Sequence, residues 1–148
     1  MNTVIRRSDA AACLGALGAL LSLWLPWYSI GPDAALAKVY VKAFGRVPRA
    51  GRSGWTMLDS GDLALCVGAI AVGLLALAAA DVLGSVRLSD ATTGWAIVAI
   101  AGAGVAFCLF HVVQRPFGDY AFHPEGGLFL ALGSSAVAVA GGVLLVRE

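Results

Sequence analysis

Seven polar side chains lie at the ends of three apolar stretches of the chain, and they are the residues that could carry chemistry. His111 is the deepest of them, and His123 and Asp119 follow it after the end of its apolar stretch. Imidazole together with carboxylate suits zinc or a similar divalent ion. Their spacing matches no ligand motif, so we expect no bound metal, no cofactor and no catalytic residue. The candidate polar cluster comprises Asp59, Asp62, His111, Arg115, Asp119, His123 and Glu125.

Other catalytic motifs are missing from the sequence. It contains no glycine-rich phosphate loop, no serine nucleophile elbow, no HExxH and no CxxC. Cys13, Cys66 and Cys108 lie one each in three apolar stretches, where a thiol usually behaves as a small hydrophobic side chain. The sequence therefore predicts a protein that is not an enzyme.

Charged residues are scarce and unevenly placed. They make up 13% of the 148 residues, and four stretches contain none: 10–32, 63–80, 91–114 and 126–146. A helix needs about 20 apolar residues to cross the hydrocarbon core of a bilayer, which each stretch approaches or exceeds. We predict a single membrane domain over 1–148, all-α, as an up-down-up-down bundle with a long loop at 33–60. The four transmembrane helices are expected at about 9–28, 61–80, 93–113 and 127–146.

Small residues recur at four-residue spacing along each predicted helix. Such rows let two helices approach closely in lipid, where van der Waals contact replaces the hydrophobic gain available in water. They predict either an oligomer interface or packing within one copy, and the sequence leaves both open. The residues expected to pack helices are Gly15, Gly18, Gly68, Gly73, Gly102, Ala106, Ser134, Ala138 and Gly142.

The long loop contains the densest run of positive charge. Over 36–47 the apolar residues follow helical spacing with Lys and Arg on another face, as in an amphipathic helix at a membrane surface. The same residues also alternate as in a strand, and period alone cannot separate the two. We expect this loop to contact membrane lipid or an acidic partner through Lys38, Lys42, Arg46, Arg49 and Arg52.

Orientation in the membrane is set by opposing signals. Arg6 and Arg7 directly precede the first apolar stretch, which favours a multi-pass cell-membrane protein with both termini in the cytoplasm. The six basic residues on the other side favour the reverse. The first stretch also has features of a signal peptide, but it is long and ends in an aromatic segment of the kind that anchors helices at the interface. We therefore expect it to be retained.

That aromatic segment carries a resemblance. The string Trp24-Leu25-Pro26-Trp27-Tyr28 and the later Ser53-Gly54-Trp55 resemble a broad set of small four-helix membrane proteins from high-GC actinobacteria. Pro116 and Pro124 before Gly126-Gly127, and the closing Gly141-Gly142, are similar as well. Those proteins are largely of unknown function. The resemblance therefore implies a topology, with the Pro-Trp-Tyr end outside the cytoplasm, and no activity.

Taken together, these features predict a small integral membrane protein that acts by association with itself or with a partner membrane protein. A net charge of +1 gives no reason to expect nucleic acid as a partner. The alternative is an oligomeric transporter or channel subunit with the candidate polar cluster at a pore mouth. Helix centres without ionisable residues weigh against that alternative, because transport pathways usually contain such residues.

Overall fold

The computed structural model describes residues 6–31, 39, 42–43, 50–53, 60–82, 89–113 and 121–148. These residues form four helices and three short strands. In chain order the elements are α1 (Arg7–Ser22), β1 (Pro26–Gly31), β2 (Ala50–Ser53), α2 (Ser60–Ala79), α3 (Asp90–Val113), β3 (Ala121–Pro124) and α4 (Gly126–Arg147). The predominantly helical fold is confirmed, whereas the sheet has no counterpart in the sequence-based prediction.

The first helix is shorter than the predicted 9–28. It ends at Ser22, and the next three residues form a tighter turn in which each amide N–H donates to the carbonyl three residues earlier. Pro26 explains the stop, because proline lacks an N–H and disfavours helical backbone in the residue before it. At the other end Arg6 occupies the N-cap position, and Ser8 and Asp9 lie within the first turn.

The three strands form one antiparallel sheet with β1 in the centre. Tyr28 pairs with Arg52 on β2 and with Pro124 on β3, and a register shift lies between Pro26 and Tyr28. The sheet lies at the end of the helix bundle where α1 stops and α4 begins. Pairing on both sides satisfies the polar backbone of β1, which a helix can no longer do after Ser22.

Trp27 and Tyr28 are buried, contrary to the expectation of an interfacial aromatic anchor. Trp27 donates its indole N–H to the carbonyl of Ser22 at 2.8 Å. Tyr28 donates its hydroxyl to the carbonyl of His111 at 2.7 Å, which joins β1 to α3. β1 directs both rings into the bundle, where the indole N–H and the phenol hydroxyl each donate to a carbonyl. Of the three aromatic residues in the 24–28 string, Trp24 is the exposed one.

Local chemistry explains two other helix ends. Ser89 caps α3 by accepting a hydrogen bond from the amide of Thr92, so the helix begins three residues before the predicted start at 93. α2 ends with Asp81 in the left-handed conformation at φ 57°. The amides of Asp81 and Val82 then donate to the carbonyls of Ala78 and Leu77, closing the last turn of the helix.

The helices pack unequally. α4 lies along both α1 and α3, α1 also packs against α2, and the contact between α2 and α3 is the least extensive. The buried residues form two clusters, one around Ala16, Val72 and Ile97 and the other around Trp27 and Cys108 at the sheet end. Within the described part of the chain, α3 and α4 are each long and apolar enough to cross a membrane.

Part of the long loop belongs to the described residues. Of the segment 36–47, Val39, Lys42 and Ala43 have helical backbone and are exposed. The other residues of that segment lie outside the described part of the chain, so the helix and strand interpretations both remain predictions for it.

Candidate functional site: an apolar cavity beside α2 and α3

A cavity of about 500 Å³ lies within the bundle and receives residues from all four helices. Its walls consist mostly of glycine and alanine, with Leu65, Val72, Ile100 and Phe107 as the larger members. Three exposed alanines belong to its lining, Ala64 on α2 and Ala99 and Ala103 on α3. The cavity therefore opens sideways, between these two helices.

Side-chain size explains why the space is there. The back wall of the cavity, where α1 meets α4, is closed by glycines that bring backbones together. A Cβ at Gly15 would lie 2.6 Å from the backbone nitrogen of Ala138 and from the carbonyl oxygen of Ser134. Gly141 meets the backbone of Ala12 at a similar distance. On the cavity side, α2 and α3 lie farther apart than α1 and α4 do, so their small residues face each other across a wider gap. The small side chains then leave the gap unfilled.

One polar side chain enters this lining. Ser135 on α4 is 4% exposed, and its hydroxyl is directed at Gly104 on α3, where a Cβ would lie 3.1 Å from the Ser135 Oγ. No hydrogen bond joins that hydroxyl to any residue that the structure describes. Ser22 behaves differently, since its hydroxyl donates to the carbonyl of Ala19 at 2.6 Å. The cavity is thus apolar with a single hydroxyl group in its wall.

A second polar feature lies at the opposite end of the bundle from the sheet. Arg6 donates to the Asp90 carboxylate at 2.8 Å, to Asp9 at 3.0 Å and to the carbonyl of Ala79 at 3.0 Å. Its Nε also lies 3.6 Å from the carboxylate of Glu148. One guanidinium therefore contacts the start of α1, the end of α2, the start of α3 and the end of α4. We call this group of residues the Arg6 network.

The electrostatics of the Arg6 network favour its charged form. Hydrogen bonding to Asp90, with a further contribution from Asp9, raises the pKa of Arg6 above its ordinary value. Asp9 is 2% exposed, so its carboxylate depends on Arg6 for compensation. Ser8 adds a hydrogen bond to Glu148 at 2.8 Å. Sequence reasoning missed this network, although Arg6 and Asp9 at three-residue spacing could have indicated a local ion pair.

The candidate polar cluster at the sheet end is described only in part. His111 is half-buried, with its ring edge-on to Phe107 at 4.5 Å and to Phe110 at 5.6 Å between centroids. Glu125 precedes α4 and makes no side-chain cap, and its amide donates to the carbonyl of Trp27. The backbone alone is described for Asp62 and His123. Asp59, Arg115 and Asp119 lie outside the described residues.

Among the residues that the structure describes, no group of three or more His, Cys, Asp or Glu side chains could hold a metal ion. The three cysteines are free, and Cys108 is fully buried in the cluster that includes Trp27. The basic loop is likewise described only in part. Lys42 is exposed and the backbone of Arg52 lies in β2, whereas Lys38, Arg46 and Arg49 lie outside the described residues.

Most of the predicted packing residues lie at contacts within the bundle. Gly18 faces the side chain of Ser134, Gly73 faces Ala16, Gly68 faces Ile100, and Gly142 faces α3. Gly102 and Ala106 are different: a Cβ at Gly102 would meet nothing within 4 Å, and Ala106 is exposed. Three further glycines, Gly94, Gly127 and Gly141, also make close backbone contacts.

Comparison with known proteins adds no family. No protein-family model matches the chain, and no curated protein is significantly similar to it in sequence. The resemblance to small actinobacterial four-helix proteins accordingly stays a prediction, and a function has to be argued from the structure.

Proposed function

We propose that this chain is an integral membrane protein with four crossings, up-down-up-down, that acts without catalysis by associating with a second copy of itself in the bilayer. The observation that carries the association is an unfilled row of small residues on the outer face of α3. The membrane location, the topology and the association each have separate support and separate tests.

The distribution of side-chain size supports the membrane location. The faces between α1, α3 and α4 are lined by small residues, whereas every helix directs large apolar side chains outward. A water-soluble bundle would bury these side chains, and a bundle in lipid has no need to. The exposed residues include Leu14, Leu17 and Leu21 on α1, Leu63, Val67, Ile70 and Leu74 on α2, Trp95 and Phe110 on α3, and Phe129, Val137 and Leu144 on α4.

The Arg6 network supports the topology, because it brings together alternate ends of successive helices. α1 has only 16 residues and is about 24 Å long at 1.5 Å per residue, short of a core about 30 Å thick. The three-residue turn after Ser22 adds about 6 Å at about 2 Å per residue, which completes the crossing. Open strand edges are not tolerated in hydrocarbon, so the sheet belongs at the water interface.

The outer face of α3 supports association. Its middle is formed by Ala99, Gly102, Ala103 and Ala106, and we call these four residues the α3 waist. Three of them are exposed, and nothing lies within 4 Å of where a Gly102 side chain would begin. Gly102 and Ala106 have the spacing of helix pairs that cross closely in membranes. Larger exposed side chains, such as Trp95 and Phe110, border this concave strip.

Substitution of Gly102 by leucine tests the association. A leucine would fill the α3 waist, so we expect Gly102→Leu to weaken association at least tenfold in apparent affinity. Association is measured as energy transfer between differently labelled copies in liposomes. Gly133→Leu is the matched control, because a Cβ at Gly133 likewise has nothing within 4 Å, but Gly133 lies on an exposed face of α4. Equal energy transfer in the two variants would refute association through α3.

The transporter or channel alternative has no comparable support. Among the described residues, the lining of the cavity includes a single hydroxyl and no ionisable side chain, which gives an ion no path of favourable contacts. Flux of ions or protons through reconstituted liposomes would nevertheless establish that alternative over the proposed one.

We further propose that both termini lie in the cytoplasm, because Arg6 and Arg7 precede α1. A cysteine at position 50, introduced into a variant without the three native cysteines, is then expected to react with an impermeant maleimide added outside intact cells. Reaction only after the cells are opened would reverse the orientation.

A further inference from the structure

We propose that the cavity beside α2 and α3 binds a neutral, lipid-soluble molecule that carries a hydrogen-bond-accepting oxygen, with Ser135 as the donor. This inference rests on the proposed membrane location, because the cavity opens sideways toward what would be the hydrocarbon region. Ala99 and Ala103 line the opening and also belong to the α3 waist, so the binding tests below use one copy per nanodisc.

The lining determines the polarity of the ligand. Glycine, alanine and larger hydrophobic residues surround the cavity, and no charged side chain of the described residues takes part. Transfer of an ion or a charged headgroup into such surroundings would be strongly unfavourable. A volume of about 500 Å³ falls in the range of pockets that hold small organic molecules. The gap between Ala64 and Ala103 leaves room for an apolar chain to extend outward.

Ser135 adds a requirement for an oxygen atom. Ser135 as a residue is 4% exposed, and its hydroxyl lies at the cavity wall beside Gly104, with no hydrogen bond to the described residues. A hydroxyl that faces an apolar cavity without an acceptor is unfavourable, and the described side chains of the lining supply no acceptor. A carbonyl or ether oxygen on the bound molecule would satisfy the hydroxyl, whereas a plain hydrocarbon would leave it unsatisfied.

The depth of Ser135 narrows the class of molecule further. It lies near the middle of α4, about 14 Å from the first residue of that helix and about 18 Å from the last at 1.5 Å per residue. Phospholipid ester oxygens lie at the boundary of the hydrocarbon core, about 15 Å from its centre. Ser135 is therefore placed for an oxygen that resides inside the core, as in a lipophilic ketone or quinone, rather than for an ester.

A ketone and an alkane of equal length test the hydrogen bond. The full chain in lipid nanodiscs is titrated with 2-tridecanone or with tridecane, and the rise in unfolding temperature gives an apparent dissociation constant for each. We expect the ketone to bind about fivefold more tightly than the alkane, because that ratio corresponds to one ordinary net hydrogen bond. Ser135→Ala should make the two equal. Equal affinities in the unaltered protein would overturn the role of Ser135.

Filling the cavity tests the site itself. A Cβ at Gly68 would make an ordinary contact with Ile100 at 3.4 Å, so Gly68→Leu places its side chain in the cavity without a backbone clash. We expect this variant to bind both probes at least tenfold more weakly, and the control Gly133→Leu to bind them as the unaltered protein does. Unchanged binding by Gly68→Leu would overturn the proposal. If that variant does not fold, Ala64→Leu at the opening replaces it.

Failure of the membrane location would be visible separately. A protein that leaves native membranes on washing with alkaline carbonate would refute the proposed location, whatever the probes do. A protein that stays in the membrane and binds neither probe would refute the cavity proposal alone.

Discussion

Replacement of Gly141 by alanine should separate α1 from α4 and destabilise the fold. Gly141 lies where the two helices come closest, and a Cβ there would lie 2.6 Å from the backbone nitrogen of Ala12 and 2.8 Å from the carbonyl oxygen of Ser8. Both distances are well short of an ordinary contact of about 3.5 Å. The opposing atoms are backbone atoms of a helix, so the strain cannot be relieved by a side-chain rotation.

The expected magnitude is a balance of two terms. Overpacking by one methyl group costs about 1–3 kcal/mol, and a rigid backbone opposite places this site at the upper end of that range. Alanine regains about 1 kcal/mol over glycine through its higher helix propensity. The net loss should therefore be about 2 kcal/mol, which lowers the folding equilibrium constant about 30-fold.

Gly133→Ala on the same helix isolates the packing term. Nothing lies within 4 Å of a Cβ at Gly133, so this variant should show only the gain in helix propensity, about 1 kcal/mol. The free energy of unfolding of both variants is measured by titration with SDS in mixed micelles. If Gly141→Ala is as stable as Gly133→Ala, then α1 and α4 do not pack as closely as the structure has them.

Three further predictions concern polar groups. Arg6→Met should lower the free energy of unfolding by about 2 kcal/mol, because the buried Asp9 loses a charge-assisted hydrogen bond. Arg7 is exposed, so the control Arg7→Met should change the free energy of unfolding by less than about 0.5 kcal/mol. Tyr28→Phe should cost about 1 kcal/mol by leaving the carbonyl of His111 without its hydroxyl donor, measured by the same SDS titration. Thr93→Val should be neutral or stabilising by about 1 kcal/mol, since the buried Thr93 hydroxyl has no partner among the described residues; a loss of stability would show that it has one.

The candidate site was only partly accessible to sequence reasoning. Spacing correctly indicated that small residues such as Gly15 and Gly142 bring helices together, because close approach depends on the absence of a side chain. Spacing could not indicate which rows of small residues contact another helix of the same copy and which, like Gly102 and Ala106, contact none. That depends on the rotation of each helix relative to its neighbours.

The sequence by itself determined the helical character of the chain. Long stretches without charge can satisfy their backbone only by internal hydrogen bonds when water is excluded, and this requirement is independent of how the helices are arranged. Three helices accordingly begin and end within a few residues of the predicted positions. The first does not, because Pro26 interrupts it and backbone pairing in a sheet takes over.

Only the tertiary structure decided where polar chemistry and empty space lie. Arg6 reaches Asp90 and Glu148 across more than 80 residues of sequence, and no local pattern encodes such a contact. The cavity, with Ser135 in its wall, arises because α4 packs tightly against α1 and α3 while α2 and α3 stay apart. Such differences in packing are a property of all four helices together. The lining of the proposed binding site includes none of the described titratable residues that the sequence brought forward.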